Sequence, residues 1–213
     1  MVSQMLFGES CTIIEQDGTY AKITMHYDNV EGWVLLSSLK EVDEVKTQNI
    51  ITKPFECKEF NGNNVVFSIG SEVDFSTEKL TDAQNVRESI VKVAHQFLQV
   101  PHLYGGRSFF GIDASAFIQL VNKVHGIQLP RLAKDQAMLG DVLDFIEESQ
   151  PGDLAFFDDS EGNINHVGIM LENFEILHCF GEVRKDVLDH SGIFNHEQNK
   201  HTHKLRFVKR LIQ

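Results

Sequence analysis

Over residues 9 to 39 the chain alternates apolar and polar residues in short runs, SCTIIEQ, YAKITMHY and EGWVLL, separated by Asp17-Gly18 and Asp28-Asn29. A period of two marks strands, and Asp-Gly between β-formers marks a hairpin. Two further β-type runs, ITKPFECKEF and NVVFSIG, flank Asn61-Gly62-Asn63-Asn64, expected as a turn, and either complete or duplicate the first small sheet. From about Thr81 the period changes. Val86, Ile90, Val93, Ala94 and Phe97 recur at helical spacing, with Thr81 or Asp82 as the expected N-cap and Pro101 just past the end. A second helix is predicted after Asp113, with Phe117, Leu120, Val121 and Val124 as its apolar stripe and Gly126 beyond its end. Then come four strand-like runs, DLAFF, HVGIM, FEILHCF and LRFVKRLI. Helices followed by an antiparallel run of strands predict an α+β domain over residues 81–213, preceded by a small all-β module over residues 1–80.

A hydrophobic share of 42% over 213 residues supports one main core and a small companion. The net charge of −12, with no basic cluster beyond a few residues near the C-terminus, argues against a nucleic-acid partner. The three cysteines, Cys11, Cys57 and Cys179, are odd in number and far apart, which suits a reducing compartment better than a disulfide framework. No run approaches the roughly 18 apolar residues of a membrane span, so no membrane partner is expected. The expectation is a cytoplasmic protein as the sequence stands, or an exported one if a leader was removed.

The stretch YGGRSFFGIDASAFIQLV places a glycine loop directly before the helix that Asp113 caps. A residue in a helix's first turn sees unpaired N–H groups and the positive end of the dipole. A cysteine there would have a lowered thiol pKa, and the same N–H groups could hold an oxyanion. That position is Ala114, which has no thiol. Downstream, NHVGIM and ILHCF put His166 near the start of one strand and His178 near the end of the next. Paired as a hairpin, the two imidazoles stand side by side as a general base and its orienter.

Two resemblances follow from these residues. The run ending in Gly32-Trp33-Val34 resembles the bacterial SH3-like barrel, which ordinarily begins with a strand ahead of the SQMLFGE turn; the module is therefore expected to lack its first strand. GGRSFFGIDASAF, QLPR, QPGDLAFF, NHVGIM and ILHCF resemble, in order and spacing, the papain-like NlpC-type cell-wall cysteine peptidases over about residues 83–212. That resemblance implies Ala114 at the nucleophile position, His166 as base and His178 as orienting residue, all three converging in one cleft. Asp113 and Ser115 would flank the nucleophile and contact substrate. His102 stands where the family has a tyrosine, Tyr104 where it has a tryptophan, and Ala116 where it has a glycine. Family members cleave bacterial cell-wall peptides between γ-D-glutamate and a diamino acid, without metal or other cofactor. Members with SH3-like modules and no export signal resemble cell-wall peptide recycling enzymes, in which the module restricts the site to short peptides with a free N-terminal L-alanine.

Other residues are weighed more briefly. Cys179 neighbours His178 on a strand and so points to the opposite face. His190, His196, His201 and His203 suggest a metal only weakly, since no acid or Cys stands at zinc-site spacing; His201 and His203 are expected on one strand face. Arg131 either lines the cleft or ends a loop, Trp33 is expected in the barrel core, and Gly105-Gly106 lacks the Lys-Ser/Thr of a phosphate loop. The functional expectation is a cell-wall peptide hydrolase scaffold, inactive as written. The alternatives are a natural pseudoenzyme that binds cell-wall peptides or a protein partner without cleaving, and a structural adaptor.

Overall fold

The computed structural model of the chain describes residues 1–42, 49–78, 80 and 85–212. Strands β1 (Cys11–Asp17), β2 (Tyr20–Met25) and β3 (Glu31–Leu35) form an antiparallel sheet in that order. Its turns hold left-handed Gly18 and Asn29, the residue types that adopt positive φ at least cost. Ala21 and Ile23 lie opposite Val34 and Gly32, and with Met25 they make a small core. Trp33 is not in that core. It lies opposite Lys22 on the other face and is 50% exposed, because Gly32 and Val34 already take the inward positions and neighbours on a strand alternate.

Next come β4 (Asn49–Ile50), β5 (Phe55–Phe60), β6 (Asn63–Ser68) and β7 (Glu72–Val73); β4 pairs with β7 and β5 with β6 around a core of Ile51, Phe67 and Val73. The β5–β6 turn is Asn61-Gly62, at φ 51° and 77°, the two left-handed residues of a tight hairpin. Asn63 and Asn64, expected in the turn, already belong to β6.

Helix α1 (Val86–His95) is capped by Asn85, whose side chain accepts from the Glu88 N–H. This corrects the expected cap; Thr81 and Asp82 lie outside the described residues. A short hairpin of β8 (Arg107–Ser108) and β9 (Gly111–Ile112) leads into α2 (Ala114–Lys123), which is buried along its whole length, and α3 (Ala133–Gln136) follows. The remaining strands are β10 (Asp141–Val142), β11 (Leu154–Asp158), β12 (Ile164–Met170), β13 (Glu175–Phe180), β14 (Glu182–Asp189), β15 (Gly192–Asn195) and β16 (Lys200–Arg210).

Strands β11 to β16 pair antiparallel in sequence order, and β16 pairs with both β15 and β11, so the sheet closes on itself in a barrel-like form with β10 added on β16. Alternation then gives each strand an inner and an outer face. Leu154, Phe156, Val167, Ile169, Leu177 and Cys179 face outward into the main core with α1 and α2. Ala155, Phe157, Met170, Ile176, Leu188, Ile193 and Val208 fill the interior. The mixed helix and sheet content matches the α+β expectation, and β10, β14 and β15 add three strands to this sheet that the sequence pattern did not reveal.

Candidate active site

Asp113 is the N-cap of α2 and uses both carboxylate oxygens to organise the helix start. Oδ1 accepts from the Ala116 N–H at 2.9 Å and from the Ser115 hydroxyl at 3.2 Å; Oδ2 accepts from the Gly105 N–H at 3.1 Å. Arg131, buried, donates to both oxygens at 2.9 and 2.6 Å and to Ser115 Oγ at 3.0 Å. A bidentate guanidinium–carboxylate pair of this kind fixes orientation as well as charge. Ala114 follows in the first turn, 8% exposed, in the same buried cluster as Val167 and Cys179.

A second polar layer occupies one mouth of the closed sheet. His166, His178, Asp186, Asn195 and His203 each stand an even number of residues from an interior apolar residue of their strand: Met170, Ile176, Leu188, Ile193 and Leu205. His166 Nε2 meets His178 Nδ1 at 2.9 Å, and His178 Nε2 meets Asp186 Oδ2 at 3.1 Å. Asp186 also accepts from Arg184 Nε at 2.8 Å and from Asn195 Nδ2 at 3.2 Å. Burial pushes the Asp186 carboxyl up, but the hydrogen bonds from His178 and Arg184 outweigh it and hold the group below its ordinary value. An ionised carboxylate only accepts, so His178 carries its proton on Nε2 and offers a lone pair at Nδ1. His166 must then donate from Nε2, which leaves its own lone pair on Nδ1. Among the described residues Nδ1 of His166 makes no hydrogen bond.

Burial is the main cause that holds His166 well below the usual imidazole range, helped by the charges of His203, His178 and His102. Burial likewise lowers His178, against the pull of Asp186, and lowers His203 to about 4. All three rings are neutral at pH 7. Their folded values lie below the unfolded value of about 6.5, so the unfolded chain takes up protons first as pH falls. Stability is therefore full above about pH 6.5 and is lost toward the folded values, by up to about 1.4 kcal/mol per pH unit for each ring. Urea unfolding at pH 7.5, 6 and 5 checks this: midpoints should fall with acid, and His203→Gln should flatten the fall. Superimposable curves would mean that the rings titrate freely in the fold.

The segment before α2 ties the helix start to the far end of β13. The His102 N–H donates to the Gly181 carbonyl at 2.9 Å, and the Cys179 thiol donates to the Ile112 carbonyl at 3.2 Å. His102 and Tyr104 are exposed, Tyr104 at 79%. Burial raises the Cys179 thiol to about 12, with Asp113 and Glu182 adding to the rise, and its side chain faces α2 rather than the histidines. The chain's first residues run along the same helix start: Ser3 Oγ accepts from Arg131 at 3.0 Å, and a Cβ on left-handed Gly105 would collide with the Met1 carbonyl. Gly105 is thus glycine to admit the N-terminal segment.

The outer histidines do not form a cluster with His203. A bulge skips Thr202, so His203 lies opposite Ile193 and points inward while His201 lies opposite Phe194 and pairs with Asp189 at 2.8 Å. The expected shared face for His201 and His203 is corrected by that extra residue. Sequence reasoning did not single out Asp186, Arg184 or Asn195. The one signal for Asp186 was an acid at an alternate position of the run VRKDVLD, where its neighbour two along, Leu188, is apolar.

The NlpC/P60 family model matches residues 99–205, and a bacterial dipeptidyl-peptidase Sh3 domain matches residues 1–39. A γ-D-glutamyl-L-lysine dipeptidyl-peptidase of Bacillus subtilis is 26% identical over 211 residues, covering 83% of this chain and 71% of the relative. The protein of the same name from Bacillus cereus is 24% identical, over 83% of this chain and 66% of its own length. In fold, a crystal structure of an NlpC/P60 family protein from Bacillus cereus superposes with a TM-score of 0.82 at 20% identity, over 99% of this chain and 82% of that one.

Proposed function

The chain belongs to the NlpC/P60 family, and from that premise we propose that it is a cell-wall peptidase scaffold of the γ-D-glutamyl-diamino acid class whose nucleophile position is filled by Ala114. The observation that carries this reading is the hydrogen-bonded series Asp186, His178, His166, which leaves the lone pair on His166 Nδ1 that a general base needs. His166 is then the base and His178 its orienter, with Ala114, His166 and His178 meeting in one papain-like cleft. Ser115, His102 and Tyr104 border the peptide. Asp113, with both oxygens engaged by Arg131, Gly105 and Ala116, acts on the substrate mainly by holding the helix start in place. Residues 1–80 serve as an SH3-like module, residues 81–213 as the peptidase domain, and the N-terminal segment beside Gly105 and Arg131 narrows the site to short peptides. As written the chain does not cleave, since Ala114 has no nucleophilic atom and the Cys179 thiol is buried and raised. The Bacillus relatives' named activity supports a peptide with γ-D-glutamate followed by lysine or a similar diamino acid; that the chain meets it in the cytoplasm, as a recycling substrate, is part of the proposal.

A second reading, a natural pseudoenzyme that captures the same peptide, is favoured by the grouping of His102, Tyr104 and Ala116 with Ala114 at the family's motif positions. Both readings predict peptide binding. Calorimetric titration with L-alanyl-γ-D-glutamyl-L-lysine is expected to give saturable one-to-one binding, weakened at least about tenfold, or ~1.4 kcal/mol, by Arg131→Ala. A folded chain that binds neither this tripeptide nor its diaminopimelate counterpart would overturn both and leave the adaptor.

A further inference from the structure

Three imidazoles from three strands share one space at the barrel mouth. His166, His178 and His203 present ligand nitrogens that all lie within 4.8 Å of one another. His166 and His203 are stacked with ring centroids 4.0 Å apart, and His178 stands edge-on to both, at 5.1 and 5.6 Å. A tetrahedral ion at bond lengths of about 2.0–2.1 Å needs its nitrogens about 3.3 Å apart. The His166–His178 pair, at 2.9 Å, is a few tenths of an ångström inside that spacing and would open slightly to admit an ion. His203 is the half-buried member, and its ligand nitrogen already lies within 4.8 Å of those of the other two rings.

We propose that His166, His178 and His203 form a binding site for a single divalent transition-metal ion of the zinc type, with Asp186 as the positioning carboxylate behind His178. The donor set fits such an ion. Neutral imidazole suits zinc, cobalt and nickel, and three protein nitrogens leave a fourth position for water or a ligand carboxylate. Two of the three rings have their other nitrogen held in the required sense. His178 donates from Nε2 to Asp186, the carboxylate–histidine arrangement that orients metal ligands, and frees Nδ1. His203 Nδ1 is engaged by Thr202 Oγ1 at 2.9 Å, which frees Nε2. His166 contributes Nε2 by moving its proton to Nδ1, where nothing described competes for it.

That proton shift has a consequence for the site. With an ion bound, His166 no longer offers a lone pair at Nδ1, so holding a metal and serving as a general base are mutually exclusive states of one ring. A scaffold without a nucleophile loses nothing by taking the metal-bound state. His203 is the residue that separates the two, because the hydrogen-bonded series from Asp186 to His166 is complete without it.

The test uses the untagged full chain, stripped with chelator, and titrates it with zinc and with cobalt. One equivalent should bind, cobalt should develop visible absorption of four- or five-coordinate strength, and His203→Ala should weaken binding at least about 100-fold, with Asp186→Asn costing about 10–100-fold. His203→Gln, with folding checked by circular dichroism, serves if the alanine variant does not fold. No saturable binding to the folded chain would overturn the proposal, as would binding that survives His203→Gln but is lost in His190→Ala or His201→Ala. Metal binding without tripeptide binding rejects the peptidase reading alone; tripeptide binding without metal binding rejects this inference alone.

Discussion

Ala114→Cys is expected to give the chain thiol-dependent peptidase activity on L-alanyl-γ-D-glutamyl-L-lysine. The new side chain would sit in the first turn of α2, where the dipole and free N–H groups favour a thiolate. His166 Nδ1, with its lone pair set by His178 and Asp186, takes the thiol proton; sulfur attacks the γ-glutamyl carbonyl, the protonated lysine amine leaves, and water releases the acyl group and restores the thiol. Loss of one member of such a unit costs on the order of a millionfold in turnover, so its return should recover most of that factor. The measurement is iodoacetamide-sensitive release of lysine, with Ala114→Cys/His166→Ala as the silent control. Cys179 does not confuse the readout, since burial holds its thiol up at about 12. His102, at the family's tyrosine position, leaves the rate lower by roughly a hundredfold if that tyrosine helps hold the oxyanion, and His102→Tyr should restore it. A folded Ala114→Cys/His102→Tyr chain that binds the tripeptide and stays inactive would establish the pseudoenzyme. Metal in the histidine site would mimic that outcome, so the assay is run with chelator throughout.

The pair of strands that carries His166 and His178 was legible because each is a short β-type run bounded by turn residues and because Gly168 and the apolar residues around it repeat a recognisable order. Asp113 as the cap of α2 was legible for the same local reason, an acid just before a helical stripe. What lay beyond reach was long-range register. Val183 faces outward while Asp186 and Leu188 face inward, so β14 has apolar residues on both faces and no clean alternation. His203 looked like part of an outer histidine group until the bulge at Thr202 turned it inward. Trp33 was misplaced because its size argued for burial while the register of β3 against β2 decided otherwise. Arg131 was undecided in sequence because its partner, Asp113, lies in a different loop and is found only in three dimensions.

The largest effect on stability is expected at Glu9, an acid that no sequence pattern marked. Its carboxylate is almost wholly buried, accepts from Arg107 at 2.8 Å and from Lys123 at 2.6 Å, and caps the Leu6 N–H at 2.8 Å. Both cations are equally buried, and Lys123 also meets Glu72 at 2.8 Å. Burial pushes the Glu9 carboxyl up, but the two cations outweigh it and keep the group below its usual value. Glu9→Ala leaves Arg107 buried without its acid, a change that costs about 3–5 kcal/mol; Lys123 keeps Glu72, which favours the lower end. Urea unfolding measures it. In a double-mutant cycle, Glu9→Ala with Arg107→Met should cost less than the sum of the single changes by about 1–3 kcal/mol, because the second change removes the stranded charge. The pH dependence has a fixed sign: the Glu9 contribution is present above the unfolded value of about 4.3 and is lost as pH falls through the lower folded value, so the variant should lose less stability in acid than the parent. This cluster pins the N-terminal segment to α2, and the same segment carries Ser3 to Arg131 at the helix start. Glu9→Ala should therefore weaken tripeptide binding as well as folding, whereas an unchanged unfolding midpoint would show that the segment is held by its apolar contacts alone.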